Sequence, residues 1–466
     1  MYQIDFNHPV HVHFLGIGGI SMSGLAKLLL SRGFKVSGSD DHDSPLLNEL
    51  RSLGAHIFLG LKAENISEDM DVVVYTGAIH PDNPEFAAAK NKNLPMLSRG
   101  QLMGELMKNF HHSVGISGTD GKTTTTSLLS LMLLDADLDP TISVGGIIPE
   151  INTNFRIGGD RHFVVESCEY TNSFLDFFPT DAIILNIRED HLDFFKDIDD
   201  IRNSFRRFAE LVPADGITVI NGEIDDYKEL FKGIKSTIKT YGLAEDKDAD
   251  LSAFNYMAAD ISYDDMGRGS YDLYEDGKFI AHVSLGLMGR HNVSNSLAAI
   301  AVALKYGVPV PSMLKTLKSF AGPRRRLEHK GTFKGASVYD DYAHNPDEIR
   351  STLTTARRFK GKRIVTVFQP HTFSRTKALL PEFVEALSLS DVIIMADIYS
   401  ARETDDGTIS SKTVRDLLVK NGKEAYYFST FKEIENFLSD FSSTDDLLIT
   451  MGAGDVVNIG NELLGL

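Results

Sequence analysis

The segment GTDGKTTTT at residues 118–126 constrains the fold of this chain more than any other feature. It follows an apolar, strand-like run at residues 113–117 and leads into a helix-like run that extends to Leu134. This order places backbone N–H groups around a phosphate at the positive end of a helix, where Lys122 can neutralise phosphate charge and the next hydroxyl can bind Mg²⁺. The strict P-loop pattern is not met, because Ile116 stands where its first glycine belongs, and such a helix start can also be a simple cap. We interpret the segment as a variant phosphate-binding loop.

Short apolar runs typical of strands alternate with helix-like segments along most of the 466 residues. This alternation predicts mostly parallel sheets with helical crossovers. The polar run at residues 106–112 predicts a linker, and Gly322 followed by Pro323 predicts a second boundary. We therefore predict three α/β domains, at residues 1–108, 109–321 and 322–466, with a small antiparallel excursion at residues 248–285. Strands are expected at residues 11–17, 71–75, 113–117, 163–165, 182–187, 217–220, 336–339, 363–368, 392–395 and 447–451.

The charge balance excludes several classes of partner. Asp and Glu total 65 against 47 Lys and Arg, so the net charge is −18 and the field repels polyanions.

Cys168 is the only cysteine, which excludes an intrachain disulfide. The N-terminus has no signal-peptide pattern, and the longest apolar runs are shorter than the ~20 residues that span a bilayer. We expect a cytoplasmic protein, monomeric or homodimeric, with no nucleic-acid partner and no membrane insertion.

A second glycine-rich turn lies near the start of the chain. Gly16, Gly18 and Gly19 follow the first strand-like run, and Asp40 ends the second. A dinucleotide fingerprint would have glycine where Ser21 stands. A nicotinamide cofactor, another nucleotide and a simple tight turn all remain open for this segment, although the downstream phosphate loop favours a nucleotide-linked substrate.

Candidate metal ligands follow two strands of the middle block. Glu166 and His191 each stand just past a predicted strand, and doubly wound sheets place catalytic groups at the carboxyl ends of their strands. With the hydroxyl of Thr123 they form a candidate set for one or two Mg²⁺ ions, although imidazole is an unusual ligand for Mg²⁺.

Two polar segments of the third block also follow strands. They are DDYAHNP at residues 340–346 and QPHTFSR at residues 369–375, which we place at the ends of adjacent strands. Arginine suits the capture of a carboxylate, and imidazole can orient or transfer a proton. We predict a second-substrate pocket here, with Arg324, Arg325 and Arg326 near the domain boundary available to nucleotide phosphates.

These motifs together resemble the Mur ligase family, and the resemblance runs nearly end to end. It is carried by HFLGIGGISMSGLA, GTDGKTTTT, ESCEYTNSF, NIREDHLDFF, GRHNVSNSLAAIA, RRR, DDYAHNPDEI, FQPHTFSR, DIYSARE and GAGD. The resemblance implies a Rossmann-like N-terminal domain that binds a UDP-sugar, a central P-loop ATPase domain and a Rossmann-like C-terminal domain that closes on ATP and the amino acid.

The activity implied by the resemblance is amide formation during synthesis of peptidoglycan precursors for the cell wall. ATP would phosphorylate the lactoyl carboxylate of UDP-N-acetylmuramate, the amine of L-alanine would attack the acyl phosphate, and ADP and phosphate would be released. Stabilising the migrating phosphoryl charge is work suited to a lysine and Mg²⁺.

The resemblance also implies roles for individual residues. Those assigned to catalysis are Lys122, Glu166, His191, His344 and Arg375, of which His344 and Arg375 face the alanine. Those assigned to the metal are Thr123, Glu166 and His191. Those assigned to ATP are Gly118, Thr119, Asp120, Gly121, Lys122, Thr123, Thr124, Asn292, Asn295, Arg326 and Asp341. Those assigned to the UDP-sugar are Gly16, Gly18, Gly19, Asp40, Thr76, Arg99 and Ser173.

This chain departs from the family pattern at three positions. Asp120 stands where many relatives have histidine, Arg188 where they usually have an acid, and Thr372 where some have a second arginine. Three other functions remain as alternatives: a recycling ligase that adds a preformed peptide to the same sugar, a nicotinamide-dependent dehydrogenase, and a nucleotide-controlled regulator. The histidine and arginine of the third block favour a ligase over the last two.

Overall fold

The computed structural model describes residues 2–77, 79–192, 194–244, 249–359, 361–401 and 403–466. Three sheets, mostly parallel and flanked by helices, confirm the predicted three-domain α/β class. The chain forms two compact units, one of residues 1–259, 273–281 and 294–316, the other of residues 260–272, 282–293 and 317–466. Within the described ranges, no helix has both the length and the apolar character needed to cross a bilayer.

The first sheet has the strand order β3-β2-β1-β4-β5, with every pair parallel. This order reverses between β1 and β4, which is where doubly wound sheets open a binding crevice. Its elements are β1 His11–Leu15, α1 Ile20–Ser31, β2 Lys35–Asp40, α2 Pro45–Ser52, β3 His56–Leu59, β4 Val72–Tyr75, α3 Pro84–Asn91, β5 Met96–Ser98 and α4 Arg99–Met107.

The second sheet has ten strands in the order β15-β14-β13-β12-β11-β10-β6-β9-β7-β8. Its elements are β6 His112–Ser117, α5 Lys122–Asp135, β7 Thr141–Ile148, β8 Thr153–Arg156, β9 His162–Glu166, β10 Asp181–Ile184, α6 Ile198–Glu210, β11 Ile217–Asn221, α7 Tyr227–Leu230, β12 Thr237–Leu243, β13 Tyr256–Tyr263, β14 Arg268–Glu275, β15 Lys278–Met288, α8 Arg290–Lys305 and α9 Val310–Ser319. β6 is buried between β9 and β10, so the loop that follows it lies at the centre of the sheet edge. Three successive neighbours, β13 to β15, fill the predicted excursion, whose first residue lies outside the described ranges.

The third sheet has the order β16-β17-β21-β18-β19-β20, with only β16 antiparallel. One expectation was wrong, because β21 separates the two strands that we placed side by side in the third block. Its elements are β16 Glu328–Phe333, β17 Ala336–Asp341, α10 Pro346–Ala356, β18 Arg363–Phe368, α11 Phe373–Ala378, α12 Leu380–Leu387, β19 Val392–Met395, α13 Ser411–Lys420, β20 Glu424–Tyr427, α14 Phe431–Phe441, β21 Asp446–Met451 and α15 Val457–Leu464.

The run at residues 106–112, expected to be a linker, is instead packed. Leu106 and Met107 form the buried last turn of α4. The buried ring of Phe110 lies 5.8 Å from that of Phe6 and 4.8 Å from that of Phe163, measured between centroids. Apolar contacts on both sides of this turn join the first two sheets in one compact unit. The exact domain boundaries remain a prediction.

A histidine pair lies at the start of β6 and β9, at the opposite end of the sheet from the phosphate loop. The ring of His162 stacks on His112 at 5.2 Å and lies 5.0 Å from the ring of Tyr306. Only 2% of His162 is exposed, and neither ring nitrogen has a hydrogen-bond partner among the described residues. Burial lowers the pKa of His162 to about 4. The folded protein therefore holds this ring neutral.

We expect His162 to make the stability of the protein fall on acidification. The unfolded chain binds a proton at this residue below about pH 6.5, whereas the folded chain does so only near pH 4. Unfolding is therefore favoured as the pH falls through that interval, by at most ~1.4 kcal/mol per pH unit for one group. His162→Phe, which keeps an aromatic ring in the stack, should lose less stability between pH 7 and pH 5 than the wild type in denaturant unfolding. The exposed His8 provides the control as His8→Gln; an equal pH response in all three proteins would contradict the assignment.

Candidate active site

Two glycines give the loop between β6 and α5 its shape. Gly118 and Gly121 have φ of +151° and +83°, a backbone region that other residues rarely adopt. A Cβ on Gly118 would lie 2.8 Å from that of Leu185, and one on Gly121 would lie 2.5 Å from Oδ1 of Asn295. The loop therefore packs tightly against the end of β10 on one side and against α8 on the other.

The segment after β10 forms hydrogen bonds to the backbone and side chains of the loop. The side chain of Asn186 accepts a hydrogen bond from the Asp120 N–H at 2.8 Å and donates one to the Asp120 carbonyl at 3.0 Å. The Thr119 N–H donates to the Asn186 carbonyl at 3.2 Å, and the Thr119 hydroxyl accepts from the Arg188 N–H at 3.0 Å. These bonds hold the loop in one conformation and leave Lys122 at the first position of α5.

Lys122 is largely enclosed by oxygen atoms, with 14% of its side chain exposed. Its Nζ donates to the carbonyls of Gly118 at 2.5 Å and Thr119 at 3.0 Å, and to both carboxylate oxygens of Glu169 at 3.0 and 3.1 Å. Burial alone would lower the pKa of Lys122, but the Glu169 carboxylate outweighs it and raises the pKa above its ordinary value. Sequence reasoning missed Glu169; its only signal was a second acid three residues after Glu166 in ESCEYTNSF.

Two of the three predicted metal ligands are in contact. The Thr123 hydroxyl donates to Oε1 of Glu166 at 3.1 Å, and the other oxygen of Glu166 accepts from the Gly145 N–H at 2.7 Å. His191, with φ of +53°, instead lies against the ring of Tyr170 at 4.4 Å. Among the residues that the structure describes, no group of three or more His, Cys, Asp or Glu side chains is arranged to hold a metal.

A cleft of about 460 Å³ opens at the switch point of the first sheet. Gly16, Asp40 and Thr76, three of the residues predicted for the UDP-sugar, line it. The Gly18 N–H donates to the Asp40 carboxylate at 2.8 Å, which fixes the turn before α1. Other lining residues that sequence reasoning did not single out are Asp41, Leu61, Ile79, His80, Asp82, Asn83 and Pro84.

The remaining residues predicted for the UDP-sugar do not line this cleft. Gly19 is the N-cap of α1. Arg99 donates to the Ser21 hydroxyl at 3.2 Å, beside the same helix start. The Ser173 hydroxyl donates to the Cys168 carbonyl at 3.0 Å, in the segment after β9.

In the third sheet, the ends of β17 and β18 bring two histidines together across β21. The rings of His344 and His371 lie 5.8 Å apart, and His371 stacks on Tyr399 at 5.6 Å. Arg375 donates to the His371 carbonyl at 3.3 Å. The hydroxyl of Thr372 donates to Glu403 at 2.7 Å, so this position contributes a polar contact and no cation. Burial lowers the pKa of His344, which favours its neutral form.

The predicted ATP ligands Arg326 and Asp341 belong to the same unit as these histidines. Arg326 pairs with Glu348 at 3.0 Å. Asp341 accepts the N–H groups of Leu327 at 2.7 Å and Ala343 at 2.8 Å, and burial raises its pKa to about 6. Asn292 donates to the Met288 carbonyl at 2.8 Å. Glu348, which also accepts from the His344 N–H, was missed by sequence reasoning.

Comparison with protein families explains this arrangement. Three family models match: "Mur ligase family, catalytic domain" over residues 11–111, "Mur ligase middle domain" over 116–303 and "Mur ligase, glutamate ligase domain" over 325–454. The chain belongs to the Mur ligase family. This Mur ligase is 52% identical to the UDP-N-acetylmuramate–L-alanine ligase of Lachnoclostridium phytofermentans and 53% identical to that of Lachnospira eligens, with 100% of each chain covered in both comparisons.

Solved structures agree with the family assignment. The UDP-N-acetylmuramate-alanine ligase MurC of Thermotoga maritima superposes on this Mur ligase with a TM-score of 0.78 at 29% identity, covering 98% of each chain. A murein peptide ligase of Psychrobacter arcticus gives a TM-score of 0.69 at 24% identity, again covering 98% of each chain. At that identity the second likeness shows a shared fold alone.

We expect the Lys122–Glu169 pair to be required for stability as well as for chemistry. Lys122→Met leaves a carboxylate that is 2% exposed without its cation, and breaking a buried pair in this way costs about 3 to 5 kcal/mol. Glu169→Gln in the same chain removes the unpaired charge, so the double variant should recover most of the loss. Denaturant unfolding of the full chain measures both. Equal destabilisation in the single and double variants would show that the charge pair is not the cause.

Proposed function

We propose that this Mur ligase joins L-alanine to the lactoyl carboxylate of UDP-N-acetylmuramate, converting ATP to ADP and phosphate in cytoplasmic synthesis of peptidoglycan precursors. The observation that carries the proposal is that full-length relatives more than 50% identical to this chain are named UDP-N-acetylmuramate–L-alanine ligase. The geometry of the phosphate loop and of His344 and its neighbours in the third sheet supports the same reaction.

The loop at residues 118–124 is suited to hold the phosphates of ATP. Its backbone is fixed by Asn186 and by two positive-φ glycines, and it ends at the N-terminus of α5, whose dipole favours negative charge. Asn295 contacts this loop at Gly121. We assign Gly118, Thr119, Asp120, Gly121, Lys122, Thr123, Thr124 and Asn295 to ATP, and extend the assignment to Asn292, Arg326 and Asp341 as the resemblance implies.

The loop and its surroundings fit a magnesium ion. Among the described contacts of the loop, Asp120, Glu166 and Glu169 bring three carboxylates against the two cations Lys122 and Arg188. This balance leaves net negative charge where a polyphosphate is to bind, so a divalent cation is needed to offset it. The hydroxyl of Thr123 and the carboxylate of Glu166 are hard oxygen donors of the kind Mg²⁺ prefers. We propose these two as ligands with His191 as a third, and a bound Mg²⁺ would supply electrostatic stabilisation of phosphoryl transfer.

Lys122 is placed to stabilise the negative charge of the phosphoryl group during its transfer. It stands at the loop-to-helix junction and is kept charged by Glu169. As the γ-phosphoryl group moves to the lactoyl carboxylate, the spreading charge can draw the ammonium from the loop carbonyls. The phosphate of the acyl phosphate is a better leaving group than the oxygen of the free carboxylate, which is why ATP is consumed.

Two side chains of the third sheet, Arg375 and His344, are suited to the second step. L-alanine presents a carboxylate and an amine that must lose a proton as it attacks the acyl phosphate. Arg375 is a cation suited to the carboxylate. His344, whose lowered pKa keeps it neutral, is suited to accept the proton. A tetrahedral intermediate then collapses with loss of phosphate.

The UDP-sugar is assigned to the cleft of the first sheet. Gly16, Asp40 and Thr76 line it, and Gly18, Gly19 and Arg99 surround the start of α1, where the helix dipole favours a diphosphate. Ser173 follows the strand that carries Glu166, so we assign it to the muramyl part.

The decisive experiment measures phosphate release by the full-length protein with Mg²⁺, ATP and UDP-N-acetylmuramate, varying the acceptor. Release that depends on L-alanine, with formation of UDP-N-acetylmuramoyl-L-alanine by mass spectrometry, is the expected result. A preformed peptide as the better acceptor would indicate the recycling ligase instead. Release without any acceptor product would contradict a ligase.

Gly145→Ala tests the metal pair without removing a ligand. Its Cβ would lie 2.7 Å from Oε1 of Glu166, the oxygen that accepts from Thr123, so the carboxylate must shift from its present position. We expect the apparent affinity for Mg²⁺ in the ligase assay to fall about tenfold, equivalent to ~1.4 kcal/mol. The control is Gly159→Ala, whose Cβ would meet only ordinary contacts at 3.7 Å. Equal responses of the two variants would contradict the assignment of Glu166.

Arg375→Ala should weaken L-alanine selectively. A charge-assisted hydrogen bond contributes roughly 1.5 to 3 kcal/mol, so the KM for alanine should rise at least about tenfold. The matched control is Lys377→Ala, which removes a cation from the same helix where Lys377 contacts Thr408. If the KM for ATP rises as much as that for alanine, Arg375 is a phosphate or domain-closure residue.

A further inference from the structure

An ion pair at the phosphate loop joins Asp120, one of the residues assigned to ATP above, to Arg188, which has been given no role of its own. Nη1 of Arg188 lies 3.3 Å from Oδ2 of Asp120, the third residue of the loop. The Arg188 side chain is 58% exposed and that of Asp120 is 29% exposed. An exposed pair of this kind contributes little to stability. Its position beside the phosphate site therefore calls for another explanation.

A carboxylate in this loop is unfavourable for binding ATP. Asp120 lies between Thr119 and Gly121, whose backbones form the loop, and its own N–H and carbonyl are bound by Asn186. The backbone at Asp120 is thus fixed, and its charge stays near any phosphate that the loop holds. A carboxylate and a phosphate repel each other because both carry negative charge. Lys122 is already paired with Glu169.

Arg188 is held in place to offset that charge. Its N–H donates to the Thr119 hydroxyl at 3.0 Å, and the same hydroxyl lies 3.4 Å from its carbonyl. Two contacts through Thr119 therefore fix the backbone of Arg188 beside the loop, so that its guanidinium reaches Asp120 from the opposite segment. Arg188 therefore contacts the loop twice, through its backbone to Thr119 and through its side chain to Asp120.

We infer that Arg188 is a positioning residue for ATP, acting through Asp120: it neutralises and orients the carboxylate so that the loop can accept a polyphosphate. This inference rests on the proposed function. It makes the two residues one unit, so the effect of losing Arg188 depends on whether position 120 carries a charge.

The test compares ATP binding by calorimetry and the KM values of the ligase reaction in full-length variants. Arg188→Ala should weaken ATP about fivefold, because the Asp120 carboxylate near the phosphates then loses the Arg188 guanidinium at a solvated site, while the KM for alanine stays constant. Arg188→Lys, which keeps the charge, should restore most of the affinity. Adding Arg188→Ala to Asp120→Asn should change the affinity less than about twofold, because no carboxylate remains to be neutralised. The control is Arg207→Ala, which removes an exposed arginine from α6.

Several results would overturn the inference. If Arg188→Ala matches Arg207→Ala, the pair has no role in ATP binding. If Arg188→Ala costs the same fivefold in the Asp120→Asn background, Arg188 acts on the phosphates directly and not through Asp120. Equal loss of ATP and alanine affinity would indicate general disorder of the site. Absence of ATP binding by the wild-type protein would overturn the proposed function as well, whereas normal wild-type binding with unchanged variants would overturn the ion-pair inference alone.

Discussion

The contact between the phosphate loop and the end of β10 is the constraint on which the rest of the site depends. Gly118 approaches Leu185 so closely that no side chain fits, and Asn186 satisfies both backbone polar groups of Asp120. Because these contacts hold the loop from the neighbouring strand, its N–H groups are already oriented before a ligand binds. Such preorganisation is what electrostatic catalysis of phosphoryl transfer requires.

Buried charge is the second organising element of the site. Lys122 and Glu169 are both largely removed from solvent, and their mutual attraction offsets part of the cost of burying the two charges. The same principle holds in the third sheet, where the largely buried Glu348 carboxylate pairs with Arg326 and accepts a hydrogen bond from the backbone N–H of His344. Pairs of this kind specify geometry more than they add stability, since the cost of desolvation offsets much of their attraction.

Much of the site could be predicted from residue order, because the carboxyl ends of parallel strands collect the residues that follow them. Thr123 and Glu166 follow β6 and β9, which are neighbours, and they are in contact. His191 follows β10 at the same edge, yet its ring lies against Tyr170. Side-chain direction after a strand depends on the local loop conformation, which residue order does not determine.

The sequence by itself determined the α/β class, the variant phosphate loop and the family resemblance, because these depend on local periodicity and on the spacing of residues within single segments. Only the tertiary structure showed that Asp120 and Arg188, two separate departures from the family pattern, are partners 68 positions apart. It alone inserted β21 between β17 and β18, and it alone gave Lys122 its partner Glu169. Strand order and charge pairing arise from contacts between segments distant along the chain, and packing free energy summed over the whole domain decides them.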